Sequence, residues 1–287
     1  MKPPTDRICL VIPYYEAGED LVESLESVRL GRADLIVVVD DGSRRRPARG
    51  LVPPTVGDTP VRLVEMARNG GITAALRAGI AAVPADFALI ARLDCGDTCR
   101  PTRFTAQREL LAARPGVVLV GSWVDFVSPD GAFLYRLEQP VDPAAVRRRM
   151  RVNCAITHPA AMFRRNAYDR VGGYPTRFPA AEDFALFSLM LQHGEAANIP
   201  QALVRCRTGD GGISDRRRRT QLASRCRILL ERFDWHPLAV YGLLRAVGQM
   251  ATPRSWSTRA HRIRVRLTGG RPQAGPAGPP LRRNPPG

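Results

Sequence analysis

Val37-Val38-Val39-Asp40-Asp41-Gly42-Ser43 is a β-branched run that stops abruptly in two carboxylates, a glycine and a hydroxyl. Such a run reads as a buried strand whose C-terminal end carries chemistry. In open α/β sheets ligands gather beyond strand ends, so two acids there address a metal, a ribose or a base N–H donor. The pattern repeats: the apolar stretch 87–93 ends in Asp94-Cys95-Gly96-Asp97. Between and before these runs, 8–12 reads as a first strand closed by Pro13, and 61–65 as another. Leu21, Val22, Leu25 and Val28 share one helical face that Gly31 ends, and Asn69-Gly70-Gly71 opens a helix carrying Ile72, Ala75, Leu76, Gly79 and Ile80 inward. Strand alternating with helix over the first hundred residues predicts an α/β fold: a Rossmann-like, mostly parallel central sheet with helices on both faces.

The remainder is less regular. The segment 44–60 reads as a solvated loop with one weak helical turn, and 101–113 as a helix. Strands are expected at 117–120, 123–127, 132–137 and 159–163, and a helix over 180–193 stopped by Gly194. Two helical segments follow within 216–250, the first led by four arginines, and beyond Thr268 there is only Gly, Pro and Arg with almost nothing to bury. This divides the chain into an α/β unit at 1–215 (a regularly alternating half at 1–100 and a less regular half at 101–215), a helical, basic extension at 216–267, and a disordered tail at 268–287.

Lys and Arg number 43 against 27 Asp and Glu, a net charge of +16 over 287 residues. That balance favours an anionic partner, either a phosphorylated ligand or an acidic membrane surface. A non-enzymatic nucleic-acid-binding protein would use the same charge, but the sequence has no binding motif of that kind and such a role leaves the strand-end acids unexplained. The six cysteines form no CxxC pair and complete no zinc set, so they are expected as reduced thiols of a cytoplasmic protein. No signal peptide and no run of 18 apolar residues is present.

Four acids at one sheet edge repel one another unless cations or donors sit between them. A divalent ion with a bound diphosphate, Mg²⁺ or Mn²⁺, meets that need with hard oxygen ligands; ordinary turn and capping roles are the alternative.

Six segments in register now carry a resemblance. Val11-Ile12-Pro13-Tyr14-Tyr15-Glu16, Val39-Asp40-Asp41-Gly42-Ser43, Arg68-Asn69-Gly70-Gly71 with Ala78-Gly79, and Leu93-Asp94-Cys95-Gly96-Asp97 come first. His158-Pro159-Ala160-Ala161-Met162-Phe163-Arg164-Arg165, then Val171-Gly172-Gly173-Tyr174 with Glu182-Asp183, complete the set. Together they resemble an inverting family-2 glycosyltransferase of the GT-A fold over roughly residues 7–214.

The resemblance implies roles. Pro13, Tyr14 and Glu16 would lie beside the nucleotide, Asp41 would accept a hydrogen bond from its base, and Asp40 would support that pocket. Asp94 would hold the ribose, and Asp97 with Asp94 the metal bridging the diphosphate. Asp183, after Glu182, matches the general base. Asn69 and Arg207 would assist the donor, with a turn and a surface ion pair as their plainer readings; His158 is either an acceptor contact or a structural residue. The family commonly has Asp-x-Asp-Asp where this chain has Gly96 in place of the middle acid, which leaves Asp97 as the metal residue and puts ribose recognition in question.

The implied partners are a nucleotide-sugar donor, UDP- or dTDP-linked, and a saccharide or lipid-linked acceptor. A sugar-1-phosphate nucleotidyltransferase would require a Gly-rich basic loop after the first strand, which Pro13-Tyr14-Tyr15-Glu16 is not. A dinucleotide oxidoreductase would require GxGxxG. At the C-terminal end, Leu238, Val240, Tyr241, Leu243, Leu244, Val247 and Met250 precede Arg254, Arg259, Arg262, Arg264 and Arg266. That combination fits peripheral attachment to an anionic bilayer, or equally a helix packed on the catalytic unit with a solvated basic tail.

Overall fold

The computed structural model describes residues 6–208 and 218–251. The expected tail at 268–287, the basic segment from Arg254 and the loop ending in Ser214 lie outside them. In chain order the strands are β1 (Ile8–Tyr14), β2 (Leu35–Asp40), β3 (Thr55–Val56), β4 (Thr59–Glu65), β5 (Leu89–Arg92), β6 (Thr98–Cys99), β7 (Val117–Val127), β8 (Phe133–Leu137), β9 (Met162–Arg164) and β10 (Glu195–Arg207). The helices are α1 (Asp20–Glu26), α2 (Ile72–Ala81), α3 (Arg103–Ala113), α4 (Pro143–Met150), α5 (Arg165–Arg170), α6 (Glu182–Met190), α7 (Arg218–Glu231) and α8 (Pro237–Ala251), with a 3₁₀ turn at His158–Ala160.

All ten strands join one sheet in the order β3-β4-β2-β1-β5-β9-β7-β10-β6, with β8 beside β7. The sheet is mixed, which corrects the expectation of a mostly parallel one. β4, β2, β1 and β5 run parallel, as helix–strand alternation requires, but β9 enters antiparallel between β5 and β7, and β3, β6 and β8 are antiparallel too. Only β7 with β10 restores a parallel pair in the second half.

β1 shows how the sequence builds the layers. Cys9 and Val11 point to one core, while Ile8, Leu10, Ile12 and Tyr14 point to the other, so successive residues feed opposite faces. Ala75, Leu76 and Ile80 of α2 with Phe184 and Phe187 of α6 cover the first face; Leu21 and Leu25 of α1 with Phe104 and Leu111 of α3 cover the second. Pro13 does not close β1; it pairs opposite Val39. A proline is tolerated there because pairing with β5 ends two residues earlier, at Val11 opposite Arg92.

Other boundaries also move. The strands expected at 117–120 and 123–127 are the single β7, and the expected strand at 159–163 is a 3₁₀ turn followed by β9. β3, α4, α5 and the 13-residue β10 were not anticipated.

Gly79 sets how closely α2 lies on the sheet. A Cβ there would stand 2.6 Å from a Val39 methyl and 2.7 Å from a Val11 methyl, inside contact distance of two stiff, buried side chains. An alanine normally gains about 1 kcal/mol over glycine inside a helix. Here overpacking, at about 1–3 kcal/mol, wins. Gly79→Ala is therefore expected to lower the urea midpoint at unchanged m-value, and a raised midpoint would contradict this packing.

Candidate active site

The parallel strands end together, and their acids have different fates. Asp40 is buried, its Oδ1 accepting from the Ser43 N–H at 2.8 Å and its Oδ2 from the Ala48 N–H at 2.8 Å. Asp41, also buried, accepts from the Gly70 and Gly71 N–H groups at 2.7 and 2.8 Å. Gly42 sits at φ +72°, and a Cβ on it would stand 2.5 Å from the Arg68 carbonyl carbon, so only glycine lets the two loops close. Glu16 (φ +52°) accepts from three successive amides, Arg44, Arg45 and Arg46, at 2.7, 3.1 and 2.8 Å. Those bonds hold its carboxyl below the usual range. The Tyr14 hydroxyl donates to the Arg46 carbonyl and accepts from the Gly18 N–H. Asn69 is exposed at the tip of its loop. Asp40, Asp41, Glu16 and Tyr14 thus brace the loops around this edge, and carboxylate oxygens keep further lone pairs for a ligand.

At the end of β5 stands a residue that the sequence reading passed over. Arg92 is 3% exposed, and its Nη2 donates to Asp94, while Nε and Nη1 are buried with no hydrogen-bond partner. The signal was present: an arginine inside Leu89-Ile90-Ala91-Arg92-Leu93 is out of place in a buried strand. A second buried guanidinium, Arg103 of α3, donates to the Arg92 carbonyl at 2.6 Å and fixes that strand end.

Asp97 is buried beside Asp94. Its Oδ1 accepts from the Arg207 N–H at 3.0 Å, and burial, then the Asp94 charge, push its carboxyl up to about 7. The Arg207 guanidinium turns away, pairing with Asp20 at 2.9 Å and with Glu23 of α1. That is the plainer of the two readings of Arg207, an ion pair with α1, while its backbone serves Asp97. Among the described residues no group of three His, Cys, Asp or Glu side chains could hold a metal. Two neighbouring carboxylates nonetheless suit Mg²⁺ or Mn²⁺, which binds through one or two carboxylates when substrate phosphates and water complete the shell.

Across the sheet edge lies the start of α6. Glu182 is buried, and burial followed by the Asp183 charge pushes its carboxyl up to about 7. Burial also raises Asp183, whose Oδ1 accepts from the Phe184 N–H at 2.7 Å. Arg92 is in electrostatic reach of both, and so is Asp94. His158 is buried, with Nε2 2.8 Å from the Tyr174 hydroxyl, and burial drives it well below its ordinary range. Its ring packs against Tyr174 and Phe187, and its Nδ1 lies 4.0 Å from Glu182 Oε1.

The family model for glycosyl transferase family 2 matches residues 9–172. This chain belongs to that family and is a glycosyltransferase. The amylovoran biosynthesis glycosyltransferase AmsE of Erwinia amylovora is 29% identical over 206 residues, 70% of this chain and 76% of that protein. The UDP-Gal:alpha-D-GlcNAc-diphosphoundecaprenol beta-1,3-galactosyltransferase of Escherichia coli is 24% identical over 187 residues, 64% of this chain and 67% of that one. Among solved structures, the mannosyltransferase PcManGT of Pyrobaculum calidifontis, in complex with GDP-Man and Mn²⁺, aligns with TM-score 0.60 at 18% identity, covering 92% of this chain and 76% of that one. The last likeness is one of fold.

The raised carboxyls have a consequence for stability. Asp97 binds its proton with pKa about 7 when folded against 3.8 for the free side chain. Between those values the folded state holds more protons than the unfolded one, so this contribution is present in acid and lost as pH rises through about 7. Asp97→Asn should flatten that slope: thermal melts at pH 5.5 and pH 8 should differ less for the variant than for the parent, and an equal or larger difference would contradict the buried carboxyl.

Proposed function

We propose that this chain transfers a sugar from a nucleotide-sugar donor to an acceptor hydroxyl with inversion, on a GT-A-type framework, in the synthesis of a cell-surface polysaccharide or glycolipid. The observation that carries the reading is the buried acid pair Glu182–Asp183 in electrostatic reach of Asp94 and the buried Arg92, with the Glu182 carboxyl pushed up to about 7 and that of Asp183 raised by burial as well. The names of the relatives agree in kind: one makes a polysaccharide, and one acts on a lipid diphosphate acceptor.

On the donor side, Pro13, Tyr14 and Glu16 with the braced loops of Asp40, Asp41 and Asn69 form the nucleotide's surroundings, and Asp41 keeps lone pairs for the base. Asp94 is the ribose residue. Asp97, with Asp94, would hold Mg²⁺ or Mn²⁺, and the bound ion supplies charge stabilisation on the departing diphosphate. Arg92 keeps Asp94 oriented until the donor arrives.

Asp183 takes the proton of the acceptor hydroxyl as its oxygen attacks the anomeric carbon from the face opposite the diphosphate. The bond to the diphosphate breaks with its electron pair, and the configuration inverts. Glu182, protonated near neutrality, spares the site a second adjacent negative charge. We assign residues 1–215 to the catalytic unit and 216–267 to the extension, at the cytoplasmic side where nucleotide sugars are made. Among the described residues no helix is long and apolar enough to cross a membrane.

Titration calorimetry with UDP and GDP in the presence of Mn²⁺ should detect nucleotide binding that Asp97→Ala weakens at least about tenfold. Unchanged affinity removes the metal assignment. Asp183→Asn should keep nucleotide binding and lose about 10²–10⁴-fold in transfer, the range general-base removal reaches. Turnover retained within tenfold would contradict the base, and a retained anomeric configuration in the product, read by NMR, would contradict inversion.

A further inference from the structure

Three arginines from three helices converge behind the acceptor side of this site. Arg149 closes the last turn of α4, Arg225 lies in the middle of α7, and Arg245 in the middle of α8. Arg225 and Arg245 have no carboxylate within ion-pair distance among the described residues, although eleven other arginines do. Arg225 Nε and Arg245 Nη1 are buried without a hydrogen-bond partner, and Arg225 Nη2 has only a long contact, 3.4 Å, to the Val152 carbonyl. Burial, then the neighbouring charges of Arg245 and Arg149, push the Arg225 guanidinium down to about 10, below the ordinary arginine range. Like charges drawn together while each is half-buried call for an anion between them.

Two further features say what kind of anion. Cys154 is the link to the chemistry: its thiol lies in electrostatic reach of Arg225 and Arg149 and also of Asp183. An anion among the arginines therefore shares a neighbour, Cys154, with the base. The outward face of α8 is apolar, with Val240, Tyr241, Leu244 (67% exposed) and Val247 in the open, while Gly242 lies against the backbone of Arg151 and Val152. Charge inside and apolar surface outside on one helix match an amphiphile with a phosphate head.

We infer that Arg225 and Arg245, with Arg149 beside them, form a phosphate-binding site that takes the diphosphate of a lipid-linked acceptor and so holds its first sugar toward Asp183. This rests on the glycosyltransferase reading. The site is distinct from the donor's diphosphate site at Asp94 and Asp97.

The test measures binding of farnesyl diphosphate, inorganic pyrophosphate and phosphatidylglycerol vesicles to the full chain, with UDP plus Mn²⁺ as a separate control. Farnesyl diphosphate should bind at least tenfold tighter than pyrophosphate. Arg225→Gln and Arg245→Gln should each weaken it tenfold or more, with Arg225→Lys restoring part of the loss and UDP binding unmoved. The variants should melt no lower than the parent, because removing one of several crowded cations relieves repulsion. Affinity within twofold in both glutamine variants overturns the site. Pyrophosphate binding as tight as the prenyl compound makes it a free-phosphate site, and vesicles that displace farnesyl diphosphate make it a headgroup site; either overturns the acceptor assignment. A melting temperature lowered in every variant, lysine included, marks these arginines as structural and overturns it also. If UDP fails to bind as well, it is the transferase reading that has failed.

Discussion

A guanidinium with almost no access to water, Arg92, stands among Asp94, Glu182 and Asp183, and the rest of the site is arranged around that charge. Three carboxylates so close cannot all ionise in a dry setting without a cation. A cation there is equally costly without carboxylates, and the direction of its own shift says which effect wins: burial lowers it most as a single cause, yet the surrounding acids together carry it above the ordinary arginine range. The arrangement fixes its backbone too. Arg103, fully buried, reaches the Arg92 carbonyl, and Gln107 on the next turn of α3 donates to the Ala160 carbonyl at 2.8 Å beside His158. One helix therefore anchors the end of β5 and the turn before β9, the two places from which the acids are held.

Seen this way, the acids of the sheet edge divide by what they accept. Asp40 takes backbone amides of its own loop, and Asp41 and Glu16 those of neighbouring loops, seven bonds that replace water at groups the fold has to close over. Asp97, Glu182 and Asp183 are buried with fewer donors, and their protons are held more tightly as a result. The first group builds the walls; the second is left with unmet charge, which is where chemistry belongs.

The sequence made the first four parallel strands legible because each is a short, largely apolar run ended by a polar corner. It did not disclose β10, since Glu195-Ala196-Ala197-Asn198 has little strand character and Pro200 falls inside the element. The structure accommodates that proline at a register shift between Ile199 and Ala202, where one strand slips against β7. The candidate acids were likewise visible as residue types at strand ends, but their division into braces and reactive groups was not, because it depends on which amides reach them from positions up to thirty residues away. Arg207 shows the same limit: its neighbours Asp20 and Glu23 are 187 and 184 residues distant in sequence. Arg92 alone could have been found by inspection, as a charge within an apolar run.

The two electrical extremes of the molecule then acquire a common sense. Unsatisfied acids gather around Arg92, and crowded arginines gather between α4, α7 and α8, with Cys154 between the two sets. An acceptor carrying a diphosphate at one end and a sugar hydroxyl at the other has a direction in that field. Its anion is repelled from Glu182 and Asp183 and drawn to Arg225 and Arg245, and its neutral hydroxyl is the group left beside the base. The reverse orientation would put the diphosphate against the carboxylates and leave the arginines unpaired, so it is disfavoured at both ends at once. Crowded arginines that repel one another in the unliganded fold would thereby be the ones that select the orientation in which transfer occurs.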